Sequence, residues 1–288
     1  LGHTPFGHTG EEALNLSMHD FGGFDHNAQA IKIVTKLEKN YASFDGLNLT
    51  WETLEGIAKH NGPLTGPINY YLSEYNLLHE LEFDKFASCE AQVAAVSDDI
   101  AYNNHDLSDG LRAGLFDVGD LYDLPIVGNC LREVDKSHPS IDYPRKCHEA
   151  LRRVFAIMVE DVLLESKKNL KDFSNLDANA VRSYNKKLIG FSDDRLKQLI
   201  QIKEFLYEKM YRHWKVNRLR FKASRVIHDL FNIFFEQPDI LPEDWGNSAK
   251  LLGEEERARL ICDYIAGMTD QYALMEYRKL TDNDIFMT

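Results

Sequence analysis

The chain has 288 residues, 44% of them hydrophobic, and a formal net charge of −13. That is enough apolar material for a sizeable core, in one large domain or two smaller ones. The acidic balance excludes nucleic-acid or anionic-membrane binding by the surface as a whole, though not at a local basic site. No apolar run approaches the roughly 20 residues that span a bilayer, so no membrane partner is expected. No charged-then-apolar leader is visible either. Cys89, Cys130, Cys147 and Cys262 lie far apart with no CxxC pair. Reduced thiols in a cytoplasmic protein are expected, and no structural zinc site.

The first stretch is dense in chemistry: Leu1-Gly2-His3-Thr4-Pro5-Phe6-Gly7-His8-Thr9-Gly10-Glu11. Pro5 and the glycines make it a tight loop that presents His3, His8 and Glu11 in a fixed order. Thr9-Gly10-Glu11-Glu12 has the capping-box pattern, so a helix is expected to begin at Thr9 with His8 just outside it. The bland alternative is a capped helix carrying two surface histidines.

Farther on, long apolar–polar alternations are missing and no repeat appears, which predicts an all-α bundle. Asp25 is an expected N-cap, followed by a helix with Ala28, Ile31, Val34 and Thr35 on its apolar face. Thr50 caps a short helix that stops near His60-Asn61-Gly62-Pro63. A helix is predicted from about Ser88 to His105. On it Asp98, Tyr102 and Asp106 fall at i, i+4 and i+8 and form one polar stripe, in a cleft or in solvent.

Residues 117–145 read as loop-rich. Residues 147–166 form an amphipathic helix with Leu151, Val154, Phe155, Met158 and Val162 on its core face. Residues 172–194 read as a polar connection with one weak helix. Helix returns over 195–236. Inside it, Lys209, Arg212, Lys215, Arg218, Arg220, Lys222 and Arg225 occur without an acid, a local reversal of field suited to polyphosphate or a nucleic-acid backbone. The alternative is a solvated basic face. A final helix is expected from Glu254 to about Tyr277.

Three stretches together resemble the HD-domain deoxynucleotide triphosphohydrolases, the bacterial dGTPase-like group. They are the opening Leu-Gly-His-Thr-Pro-Phe-Gly-His-Thr-Gly-Glu, the Ser97–Asp106 stretch, and Asp263-Tyr264-Ile265-Ala266-Gly267-Met268-Thr269-Asp270. Lys59-His60-Asn61-Gly62-Pro63-Leu64 is a further signature of that group. The likeness runs from Leu1 to about Leu280. It implies an HD-domain helical bundle with additional C-terminal helices: a core over 1–115, without the His-Asp pair, and a helical region over 116–288. His19-Asp20, His105-Asp106 and His228-Asp229 do not stand where that pair belongs.

The implied activity is metal-dependent hydrolysis of a dNTP, dGTP-like, to deoxynucleoside and inorganic triphosphate. The alternative is a nucleotide- or single-strand-binding HD-fold protein without catalysis. By resemblance His8 acts at the α-phosphate, Glu11 orients it and His3 lies near the phosphates. Asp98 is a ligand of a divalent metal (Mg, Mn or another transition metal), most of whose ligands are expected upstream of Leu1. Asn27, Tyr102, Asp106, Tyr211, Arg212, His213 and Lys215 are the implied substrate contacts, with an aromatic ring excluding a ribose hydroxyl. The resemblance also implies a homo-oligomer and a nucleotide effector; single-stranded nucleic acid is a further partner under the binding alternative and the basic run.

Overall fold

Side chains that compete for backbone N–H groups start most of the helices. Asp25, Thr50, Asn69, Ser88, Asp142, Asp177, Ser192 and Thr269 each accept a hydrogen bond from a backbone N–H in the first turn of the helix they precede. That is the N-cap chemistry these residue types favour. The computed structural model describes residues 1–171 and 177–282. Among them the chain is all-α, without a strand, as the sequence predicts. The helices are α1 (Gly7–Ser17), α2 (His26–Lys32), α3 (Trp51–Ala58), α4 (Tyr70–Leu78), α5 (Cys89–Arg112), α6 (Val127–Ser137), α7 (Tyr143–Leu170), α8 (Ala178–Arg182), α9 (Asp193–Leu206), α10 (Trp214–Glu236), α11 (Glu243–Leu251), α12 (Glu254–Ala266) and α13 (Asp270–Thr281). Residues 172–176 of the expected polar connection lie outside the described residues; among its described residues α8 is a short helix.

The chain divides into two compact units. The first comprises residues 1–59, 64–84 and 218–288; the second comprises 60–63 and 85–217. The division expected at residues 115 and 116 thus falls inside the second unit.

The first unit has two cores. Ile227, Leu230, Phe231 and Phe234 of α10 bury against Leu14 of α1 and Ile261 and Ile265 of α12. Ala28, Ile31 and Val34 pack with Leu54, Ala58, Leu72 and Leu81. Thr35, expected on that apolar face, is half-buried and donates its hydroxyl to the Ile31 carbonyl oxygen at 2.6 Å.

In the second unit Val154, Met158 and Val162 of α7 meet Ile100 and Leu107 of α5 and Leu199 and Ile202 of α9. The buried positions on α7 run Ala150, Val154, Met158, Val162 and Ser166. Phe155 falls off that i+4 line and is 45% exposed, contrary to its expected place in the core.

Other boundaries also differ from expectation. Residues 117–145 contain α6, whose Val127, Cys130, Leu131 and Val134 are fully buried. Their i, i+3, i+4, i+7 spacing is the helix signature, but Pro125, Gly128 and Asn129 disguise it as a turn. Helix α5 continues to Arg112, past His105. The 195–236 helix breaks at Arg212 and His213 after a π-turn over Tyr207–Tyr211. The 254–277 helix breaks at Gly267-Met268-Thr269, where Thr269 caps a new helix.

Candidate functional site

The opening loop does not form the expected capping box. Helix α1 begins at Gly7, with Phe6 as N-cap at φ 64 and no side-chain cap from the neighbouring sequence. His8 is therefore the second residue of the helix rather than a residue ahead of it. Two glycines make this path passable. A Cβ on Gly10 would meet the Pro5 carbonyl oxygen, and one on Gly2 would meet that of His26. Only residues without a side chain allow such approaches, and Gly2 also has φ +83.

The loop brings His3 and His8 together with a residue that the sequence reading did not single out, His26. It is the first residue of α2, placed by its Asp25 cap. Ring centroids lie 4.4 Å apart for His3 and His26, 5.2 Å for His3 and His8, and 6.3 Å for His8 and His26. Glu11, expected to orient His8, uses its Oε1 on His26: 2.8 Å from the ring Nδ1 and 3.0 Å from the backbone nitrogen. Its carboxylate nevertheless lies within 4.8 Å of ring nitrogens of both His3 and His8. The local clue to His26 was the Asp25-His26-Asn27 order, since an N-cap places the next side chain at a helix start. Asn27 itself is buried.

The hydrogen bond that His26 donates to the Glu11 carboxylate raises the His26 pKa above its ordinary 6.5, outweighing the opposing effect of burial. Burial works against the Glu11 charge, but the His26 bonds prevail and its pKa lies below the ordinary 4.5. Burial, then the charge on His26, lowers His3. Two neighbouring imidazoles thus shift in opposite directions: Glu11 favours the charged form of His26, and burial favours the neutral form of His3. A raised histidine stabilises fully below its unfolded pKa, and loses that contribution as pH rises through the folded value. A lowered glutamate stabilises above its unfolded pKa, and loses that contribution as pH falls through the folded value. The pair therefore contributes most between pH 4.5 and 6.5, the ordinary values of the two groups. NMR titration should show His26 titrating above 6.5 and His3 below it, and Glu11→Gln should bring His26 down. Coincident curves for the two rings would contradict this pairing.

Such a cluster has two chemical uses. Protonated imidazole beside a carboxylate can neutralise and protonate phosphate oxygens. The donor atoms of His3, His8 and Glu11, and those of Glu11, Asp25 and His26, also lie within 4.8 Å of one another, close enough to share a cation.

The second unit holds the α5 stripe. The Tyr211 hydroxyl donates to Asp106 and lies 3.1 Å from the Tyr102 hydroxyl. Burial, then the bond to Asp106, pushes the Tyr211 pKa far up, so its phenol stays protonated. Tyr211 closes the π-turn, and π-turns recur where a helix is bent to present a functional side chain. Tyr102, Tyr211 and Arg212 line one cleft of about 850 Å³, together with Ile200, Lys203 and Tyr207. Arg212 donates to the Tyr207 hydroxyl at 2.7 and 3.1 Å and lies over that ring. His213 and Lys215 are not among the residues lining the cleft.

The basic run is partly compensated. Lys209 pairs with Asp120, Arg220 with Glu12 and Arg225 with Asp229.

The implied metal ligand Asp98 has His60 Nε2 beside it at 3.4 Å, and its side chain is 70% exposed. Among the described residues it joins no group of three such donors. One imidazole and one carboxylate do not complete a shell for a divalent ion.

Residues 189–279 match the phosphohydrolase-associated domain. The chain is 52% identical to a deoxyguanosinetriphosphate triphosphohydrolase-like protein of Roseobacter denitrificans, over 97% of this chain and 73% of that protein. Proteins of the same description from Parvibaculum lavamentivorans and Caulobacter vibrioides are 49% and 46% identical. Those matches cover 98% and 99% of this chain, and 73% and 74% of the relatives. The chain belongs to the family of deoxyguanosinetriphosphate triphosphohydrolase-like proteins. Among its described residues no helix is long and apolar enough to cross a membrane.

Proposed function

We propose that this protein hydrolyses a deoxynucleoside triphosphate, dGTP-like, to deoxynucleoside and inorganic triphosphate. The observation that supports this most is the set of three imidazoles gathered at the start of α1 and α2, one of them held charged by Glu11. A water oxygen adds to the α-phosphorus and the bond from phosphorus to O5′ breaks. The leaving O5′ takes a proton from His8, and the proton released by the water passes to solvent. His26, whose Nδ1–H is committed to Glu11, presents its Nε2–H and its charge to an α-phosphate oxygen. His3, with its lowered pKa, accepts or passes a proton beside them.

Asn27, Tyr102, Asp106, Tyr211, Arg212, His213 and Lys215 are the proposed substrate contacts, and Asp98 a proposed ligand of a divalent cation. A homo-oligomer and a nucleotide effector belong to the same reading, drawn from the resemblance; a single-stranded nucleic-acid partner belongs to the binding alternative. In the unit-2 cleft the Tyr211 ring is the proposed steric gate against a ribose 2′-hydroxyl. Tyr211→Ala should narrow the preference for deoxy over ribo substrates, measured as a ratio of kcat/KM; an unchanged ratio would remove the gate.

Phosphorus NMR of reactions with each dNTP and Mg or Mn tests the reading. Inorganic triphosphate is the expected product. Pyrophosphate or orthophosphate would mean a different bond is cut. Tight nucleotide binding with no product from any dNTP or mixture would make this a binding protein on an HD fold.

A further inference from the structure

Helix α1 carries His8 and Glu11, yet no side chain from its own sequence caps it. In a capping box the third helical residue returns its side chain to the N-cap backbone N–H. Here that N–H, on Phe6, donates instead to Asp270 Oδ1 at 2.8 Å, across 264 positions of sequence. Phe6 is left-handed, a conformation that residues with a Cβ adopt only where the surroundings enforce it. Asp270 is itself fixed. It is the first residue of α13, behind the Thr269 cap that accepts from Tyr272 N.

A second carboxylate from the same region reaches the other histidine-bearing helix. Asp263 of α12 lies 2.6 Å from Lys32 Nζ and accepts from Gln29 Nε2 at 3.2 Å. Lys32 and Gln29 belong to α2, which begins at His26. The α12–α13 pair thus grips both segments that present imidazoles. Both aspartates fall within the residues that match the phosphohydrolase-associated domain.

We propose that Asp270 is a positioning residue for His8. Its carboxylate caps α1 from the far end of the sequence, holds Phe6 in its left-handed turn, and so sets the imidazole two residues on. The phosphohydrolase-associated segment then has a stated task, to clamp the histidine cluster from behind. The assignment rests on the proposed function only in naming His8 as the proton donor. The clamp itself is a matter of backbone geometry.

Asp270→Ala and Asp270→Asn separate the hydrogen bond from mere surface charge, because asparagine keeps an acceptor oxygen at the same reach. Hydrogen–deuterium exchange over residues 1–12 is the first readout, with residues 226–234 of α10 as the folding control. Asp270→Ala should speed exchange in residues 1–12 by at least tenfold and leave the control segment unchanged, while Asp270→Asn keeps the wild-type rate. The second readout is steady-state hydrolysis. Asp270→Ala should lower kcat by at least tenfold with KM within threefold, since the donor is displaced while nucleotide contacts persist. Unchanged exchange in Asp270→Ala would overturn the proposal, and so would Asp270→Asn failing as Asp270→Ala does. If the wild-type protein releases no triphosphate, the hydrolase reading fails, while the exchange arm still decides whether the clamp exists.

Discussion

Replacing His8 by alanine is expected to lower kcat by about 10²- to 10⁴-fold, the usual contribution of a positioned general acid. Nucleotide affinity should stay within about tenfold, because proton donation belongs to the transition state more than to the bound ground state. The site geometry distinguishes His8 from its neighbours. His26 is tied through Nδ1 to Glu11 and kept charged, which suits fixed electrostatic stabilisation rather than proton turnover. His8 is raised on the first turn of α1, with His3 at 5.2 Å between ring centroids. Isothermal titration with a non-hydrolysed analogue, set beside steady-state rates, separates the two effects. Unchanged turnover in His8→Ala would take this histidine out of the chemistry. A parallel loss of binding would make it a phosphate-binding group instead.

The second large effect is on stability. Lys32 and Asp263 form a buried ion pair, their side chains 7% and 9% exposed. Burial opposes the Lys32 charge, but Asp263 and the Tyr70 hydroxyl outweigh it and hold the lysine pKa above its ordinary value. Lys32→Ala leaves the Asp263 carboxylate buried without its cation and should cost about 3–5 kcal/mol. Lys32→Met with Asp263→Leu removes both charges and should cost clearly less, since the desolvation penalty disappears with them. Urea unfolding of the single and double variants checks this. A single-variant loss below about 1 kcal/mol, the level of an exposed pair, would show that the pair is not load-carrying.

Local chemistry made much of the fold legible. Caps at Asp25 and Thr50 sit where short polar side chains precede apolar periodicity. The Asp98–Tyr102–Asp106 stripe was visible as spacing on one helix, as was the core line of α7. What escaped the sequence was mostly non-local. His26 lies 15 positions from the carboxylate that defines its role, and Phe6 lies 264 positions from the aspartate that caps its helix. The Thr9 capping box failed for that reason: a tertiary hydrogen bond displaced a local one, and the helix began earlier. Helix α6 escaped for the opposite reason. Its apolar seam was local and complete, but glycine, asparagine and a preceding proline outweighed it as turn signals. Phe155 shows the limit of a five-residue face, because α7 buries a narrower i+4 line.

Hydrolysis in ¹⁸O-labelled water tests the central claim most directly. Attack at the α-phosphorus puts the label on inorganic triphosphate, at the terminal phosphorus that had carried O5′, and leaves the deoxynucleoside unlabelled. Label on the 5′-oxygen of the deoxynucleoside, or on orthophosphate cut from the γ end, would contradict a histidine cluster that protonates O5′ at the α-phosphate.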